Sequence, residues 1–247
     1  MTLLKPLRKT HKILSYFVFV QVTLWLLGGA YFALMPFQSV VKGGDQVRKP
    51  APLTSMTQLS DALKGTSSNT DVSQLRLLDS AQGPLLRIDA PSGPQWFNLG
   101  QGQPATQVSA NQVARFAERL YIGTGQLAPP HRLQSVPDQL GGLVQELKHA
   151  GPVWMVVAND PVQTRLYFDG QYGHYLTSRN QAWVWFDALW RLHVMDYDDG
   201  EDFNNPLLIL FSITALLFAL SGCALAVHSL KQSLVRRWRR LSRRIPL

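Results

Sequence analysis

Two stretches free of charged side chains constrain this chain more than anything else in it: Ile13 to Met35 and Leu207 to Val227. A helix rises about 1.5 Å per residue, and about 20 apolar residues cross a hydrocarbon core of roughly 30 Å. Each stretch is long enough to do so. The first is preceded by Lys5, Arg8, Lys9 and Lys12 and followed by Pro36. The second follows an acidic run, Asp196 to Asp202, that is costly to bury, and then Asn204 and Asn205, either of which can cap a helix with Pro206 in its first turn. Beyond His228 the tail is basic: Lys231, Arg236, Arg237, Arg239, Arg240, Arg243 and Arg244, with no acid among them. Positive flanks stay in the cytoplasm. The expected arrangement is therefore a cytoplasmic tail over 1–12, a membrane helix over 13–35, a linker over 36–54, a periplasmic domain over 55–205, a second membrane helix over 206–228 and a basic cytoplasmic tail over 229–247. The alternative for the first run is a cleaved signal peptide, but the run is long for one and no Ala-x-Ala site follows, since Ala30 and Ala33 are spaced wrongly.

The formal charge of +8 suggests a nucleic-acid binder until it is located. Most of the excess lies in the two tails just named, and without them the 24 Lys and Arg no longer outnumber the 16 Asp and Glu. Basic flanks set topology and attract anionic lipid. Membrane lipids, and not nucleic acid, are the partners this pattern implies. The single cysteine, Cys223, lies inside the second apolar run, so no intramolecular disulfide or cysteine metal cluster can hold the outer domain together.

The periodicities between the spans suggest an α+β domain of helices and small antiparallel sheets. Met56, Leu59, Ala62 and Leu63 have helical spacing. Leu75, Leu77, Leu85 and Ile88 suggest short strands broken at Gly83-Pro84, and Trp96, Phe97 and Leu99 a third. Ser109 is a candidate N-cap for a helix burying Val113, Phe116, Ala117 and Leu120. Leu140, Leu143, Val144 and Leu147 suggest another helix, and strands are expected at 153–157, 165–168 and 175–177. Helix followed by three strands would then occur twice, at about 55–99 and 140–178. A last helix, 180–193, carries Trp183, Trp185 and Trp190, which suit either a headgroup zone or a domain core.

Within the spans, Gly29 with Ala33, Ala215 with Ala219 and Gly222 with Ala226 stand at the spacing that lets helices approach, although Gly and Ala are common in any membrane helix. Gln21 and Thr23 should face a partner helix, because lipid offers them no hydrogen bond.

Taken together, Ser109 to Leu120, Pro152-Val153-Trp154-Met155-Val156, and Leu166-Tyr167-Phe168-Asp169 with Gly173 resemble a PepSY domain. Leu189-Trp190-Arg191-Leu192-His193, the second apolar run with Ser221-Gly222, and the opening Arg8-Lys9-Thr10-His11-Lys12-Ile13-Leu14 resemble the PepSY-associated membrane helices. The resemblance covers most of the chain. Many such proteins have four helices and this chain has two, so a function that needs four would require a homodimer. The resemblance implies two roles. One is a non-catalytic accessory to a membrane redox or metal-uptake system, such as ferric reduction, with a membrane reductase as partner. The other is a membrane-tethered modulator or inhibitor of a periplasmic protease or of envelope assembly, with a periplasmic protein partner.

No nucleophile motif, phosphate loop, His-Glu-x-x-His or dinucleotide fingerprint occurs, so an enzyme acting alone has no supporting constellation. The acidic run fails as a calcium loop, because Leu207 occupies the position that needs a bidentate Glu. It should instead be solvated. The haem of the implied redox role needs two axial nitrogens. His11 precedes the first span and His228 ends the second; helices of opposite direction would bring both to one membrane face, as haem b ligands. The alternative is two ordinary interfacial histidines. His193 belongs to the other face and should pack on Trp190 or Asp196.

Overall fold

The computed structural model describes residues 4–50, 74–91, 93–198 and 200–242. The class is α+β, with two long apolar helices and antiparallel sheets. Contacts divide the chain into two units, Met1–Tyr31 with Leu189–Leu247, and Phe32–Ala188.

The first unit holds the two helices that are long and apolar enough to cross a membrane: α1, Leu4–Leu34, whose last residues pass into the second unit, and α4, Pro206–Ser242. Both extend past the apolar runs into the basic flanks. Asn205 caps α4, its Oδ1 accepting from Leu208 N–H at 2.8 Å.

The second unit contains two sheets and a helix. Strands β1 (Gln74–Ser80), β2 (Gly83–Ala90), β3 (Gly93–Asn98) and β4 (Gln103–Pro104) form an antiparallel meander in that order. The break expected at Gly83-Pro84 falls two residues earlier, at Ala81-Gln82. Pro84 sits within β2 opposite Asp79. The helix expected around Met56 to Leu63 lies outside the described residues.

The second sheet runs β5 (Gln126–Leu127), β7 (Val153–Asn159), β8 (Arg165–Asp169), β9 (Tyr175–Arg179), with β6 (His131–Leu133) also on β7. Helix α2, Ala110–Leu120, covers it. Ser109 begins α2 with a capping box, its Oγ reached by Gln112 N–H while Gln112 Oε1 accepts from Ser109 N–H. Val113, Phe116, Ala117 and Leu120, the stripe read from the sequence, pack on Val156, Leu166 and Phe168 in the main core.

Two expectations fail here. Leu140, Leu143, Val144 and Leu147 do not form a helix. Only a single tight turn, Leu140–Gly142, occurs, and Leu140, Gly141 and Gly142 all have positive φ. A helix cannot propagate through three such residues. Val144 is nonetheless buried, against Val184 and Ala188 of helix α3 (Gln181–Val194). The proposed helix-and-three-strands repeat therefore has no helix in its second copy; the helix on that sheet is α2. The linker, too, is packed where it is described: Val41 and Val47 are buried, Arg48 N–H donates to Leu120 O, and Asn180 Nδ2 donates to Val40 O.

Glu146, buried in the same loop, accepts from Arg165 through both carboxylate oxygens and from Tyr167 Oη, while its carbonyl accepts from Arg179 Nε. A buried carboxylate needs such partners. Burial and the Glu146 charge raise the Tyr167 phenol well above its ordinary value. Nothing in the sequence pattern marks Glu146 as internal.

Candidate functional site

In the first unit the end of α3 is tied to both long helices. A helix leaves its last carbonyls without intrahelical partners. Here Gln21 Nε2 of α1 donates to Leu192 O at 3.0 Å, Trp25 Nε1 donates to His193 O at 2.8 Å, and Asn205 Nδ2 donates to Val194 O at 3.0 Å. Gln21 thus satisfies the expectation that it faces protein. Thr23 does not: its Oγ1 donates to Phe19 O of its own helix. The His193 ring lies between Trp25 and Trp190, at centroid distances of 5.2 and 6.3 Å. The acidic run is built around Asp196, which is buried and not solvated. Its carboxylate accepts N–H groups from Asp198, Glu201 and Asp202. Among the described residues no group of three His, Cys, Asp or Glu could hold a metal ion.

Further along the pair, His11 closes α1 on α4. Its Nδ1 lies 2.7 Å from Ser221 Oγ, and its ring stacks on Phe218 at 4.4 Å with 7° between planes. Gly222 completes the seat: a Cβ there would stand 3.0 Å from His11 Cε1. Of the small-residue positions, Gly222 is therefore at the contact, whereas a Cβ on Gly29 would meet nothing within 4 Å. Its neighbour Gly28 is the buried one.

The structure does not bring His11 and His228 together as a ligand pair. His11 sits at the level of Phe218 to Gly222, and six further helical residues carry His228 about 9 Å beyond Gly222 along α4. His228 Nε2 is 2.8 Å from Gln232 Nε2 on its own helix. His11 presents Nδ1 to Ser221 Oγ and one ring face to Phe218.

Between α1 and α4 runs a groove of about 690 Å³, lined by Leu14, Tyr16, Phe17, Val20, Leu207, Leu210 and Phe211 among others. Its wall is almost wholly apolar and suits an acyl chain.

No family model, curated protein or solved structure matches this chain. The functional reading therefore rests on the residues and their geometry.

In the second unit the densest polar node is the β8–β9 turn. Asp169 Oδ1 accepts from Gln171 and Tyr172 N–H, and the two Asp169 carboxylate oxygens lie 3.7 Å from His174 Nδ1 and from His149 Nε2. Trp96 of β3 stacks on both Tyr172 and His174. Burial lowers the His174 pKa, only partly opposed by Asp169 and reinforced by His149 and Arg87. This turn joins the two sheets. Gly173 makes the approach possible: its φ is +70° and a Cβ would come 2.9 Å from Val108. A sequence reading finds the Asp and the Gly as turn residues but has no signal for the histidine pair across it.

Proposed function

We propose that this chain is a PepSY-like protein of the bacterial inner membrane, anchored by α1 and α4 with both termini in the cytoplasm and with its α+β body in the periplasm. In this reading it is a non-catalytic accessory to a membrane redox or metal-uptake system, and lipids and a membrane reductase are its partners. The observation that supports the two-helix anchor is the set of polar contacts that α1 makes with the end of α3 and with α4. Gln21, Trp25, His11 and Ser221 make specific interhelical or helix-end bonds, which a removable leader helix has no need of and a permanent two-helix anchor does. Such bonds contribute about 0.6–1.7 kcal/mol each in membranes.

The second reading is a tethered modulator of a periplasmic protease or of envelope assembly. The two are separated by deleting the chain from its own cells. The accessory role expects a lower rate of ferric-chelate reduction by the membranes, restored by the full chain and by His11→Ala alike. An unchanged reduction rate together with altered processing of periplasmic proteins would move the assignment to the second reading.

A further inference from the structure

The first sheet ends on β1 and the second on β9, and among the described residues neither outer edge carries another strand. The two edges touch at one point. Ser80 and His174 form an isolated antiparallel bridge, beside which Ala81 N–H donates to Gly173 O at 3.0 Å. From that point the strands part. A cleft of about 560 Å³ opens between Leu77, Leu78 and Asp79 on one side and Tyr175 to Arg179 on the other, with Lys42, Lys49 and Pro50 along it.

The register says which backbone groups face the cleft. Ser80 and Gly83 flank a two-residue loop, which makes them a hydrogen-bonded pair. Pairing alternates along an antiparallel ladder, so Asp79 and Leu77 turn their N–H and C=O groups away from β2. Pro84, which has no N–H to give, stands opposite Asp79 as this alternation requires. Folded proteins usually blunt such an edge with charge or cover. Here Leu75 and Leu77 are 42% and 38% exposed along it. The lining is positive: Lys42, Lys49 and Arg179 face one acid, Asp79, which lies 3.8 Å from Arg119 Nη2. Arg179 is a fixed part of this wall, held by Glu146 O, Thr177 Oγ1 and Ser178 O and lying over the Trp183 ring. The two lysines are exposed.

We propose that this cleft takes an extended acidic segment of a partner protein as an added strand between β1 and β9. Main-chain bonds to Leu77, the outward-facing residue beyond the bridged end of β1, supply affinity, the two leucines receive alternate apolar side chains, and the lysines select acidic residues between them. The added strand would join the two sheets into one. This inference goes beyond the accessory role and does not depend on whether the partner is a reductase or a protease.

The test uses the full chain in detergent and the fluorescence anisotropy of labelled hexapeptides: alternating Glu and Val, alternating Lys and Val, and the Glu-Val sequence with N-methylated backbone. The Glu-Val peptide should bind saturably, and the other two about tenfold or more weakly, the loss of one or two net hydrogen bonds. Leu77→Pro, which removes an outward N–H but is tolerated on an edge, should lose binding, and Leu77→Thr should keep it. Lys49→Glu should abolish the preference for the acidic over the basic peptide, and this decides the matter even if Leu77→Pro fails to fold by circular dichroism. Equal binding of all three peptides would overturn the proposal. So would a folded Leu77→Pro that binds as well as the parent. Adhesion to anionic vesicles that Lys49→Glu weakens, with no binding of the Glu-Val peptide, would assign the positive lining to lipid headgroups and overturn it as well.

Discussion

His11 shows how one residue can be placed by physics that spacing does not reveal. It stands among Lys9 and Lys12 in a basic flank, yet its ring is stacked on Phe218 and hydrogen-bonded to Ser221, on a helix whose sequence begins almost two hundred residues later. A bond between side chains in a membrane helix pair is worth about 0.6–1.7 kcal/mol, because the separated helices also find partners. His11→Ala should therefore destabilise the pair by about 1–2 kcal/mol once the stacking contact is included. Gly222→Leu should cost more, because the His11 ring occupies the space the new side chain needs. Gly29→Leu, facing open space, should be near neutral. Measured as unfolding free energies of the full chain in bicelles, this order tests the seat directly. A Gly222→Leu variant as stable as the parent would mean that Gly222 does not sit at a helix contact. A Soret band in the purified parent that disappears in His11→Ala would restore the haem reading.

Among the elements, the β8–β9 turn holds the end of β1, β3 and the segment before α2 to the second sheet. Its half-buried His174 makes this docking sensitive to pH. The folded state disfavours the charged imidazole, so the folded pKa lies below the ordinary value of 6.5. The unfolded chain then binds more protons as pH falls below 6.5, and stability, fully present above that value, is lost as pH drops toward the folded pKa. The groups facing the ring are Asp169, which opposes this shift, and His149 and Arg87, which reinforce it. Thermal unfolding followed through tryptophan fluorescence should show a midpoint that falls as the pH is lowered below the ordinary imidazole value of 6.5. His174→Gln should flatten that slope, and a parent and variant with identical pH profiles would remove His174 as the cause.

For the molecule as a whole, the decisive question is which side of a membrane each unit occupies. In the proposed topology both termini are cytoplasmic and the α+β body is periplasmic. In a Cys223→Ala background, Asp138→Cys should react with a membrane-impermeant maleimide on intact spheroplasts. Ser242→Cys should react only after permeabilisation. Reaction of both from the same side contradicts the two-span arrangement.

What the sequence by itself determined were features that depend on neighbours along the chain. The two apolar helices follow from uninterrupted apolar runs, the cap and buried stripe of α2 from Ser109, Gln112 and a helical period, and β1–β3 and β7–β9 from short apolar runs between turn residues, whereas β4, β5 and β6, two or three residues each, carry no such signal. Tertiary structure decided the rest. Leu140 to Leu147 carries a helical period but is a loop, because three residues there adopt positive φ and Glu146 turns inward to meet Arg165 and Tyr167. Asp196 reads as solvated yet is buried, because three backbone N–H groups surround its carboxylate. His11 and His228 read as a pair by direction alone. Their heights along α4 differ by more than a helical turn, since His11 is fixed by Ser221 and Phe218. The cleft between β1 and β9 exists only because two sheets, far apart in sequence, are pinned together at Ser80 and His174 and diverge from there. A local pattern can specify which face a residue presents, but a partner distant in the chain decides what that face meets.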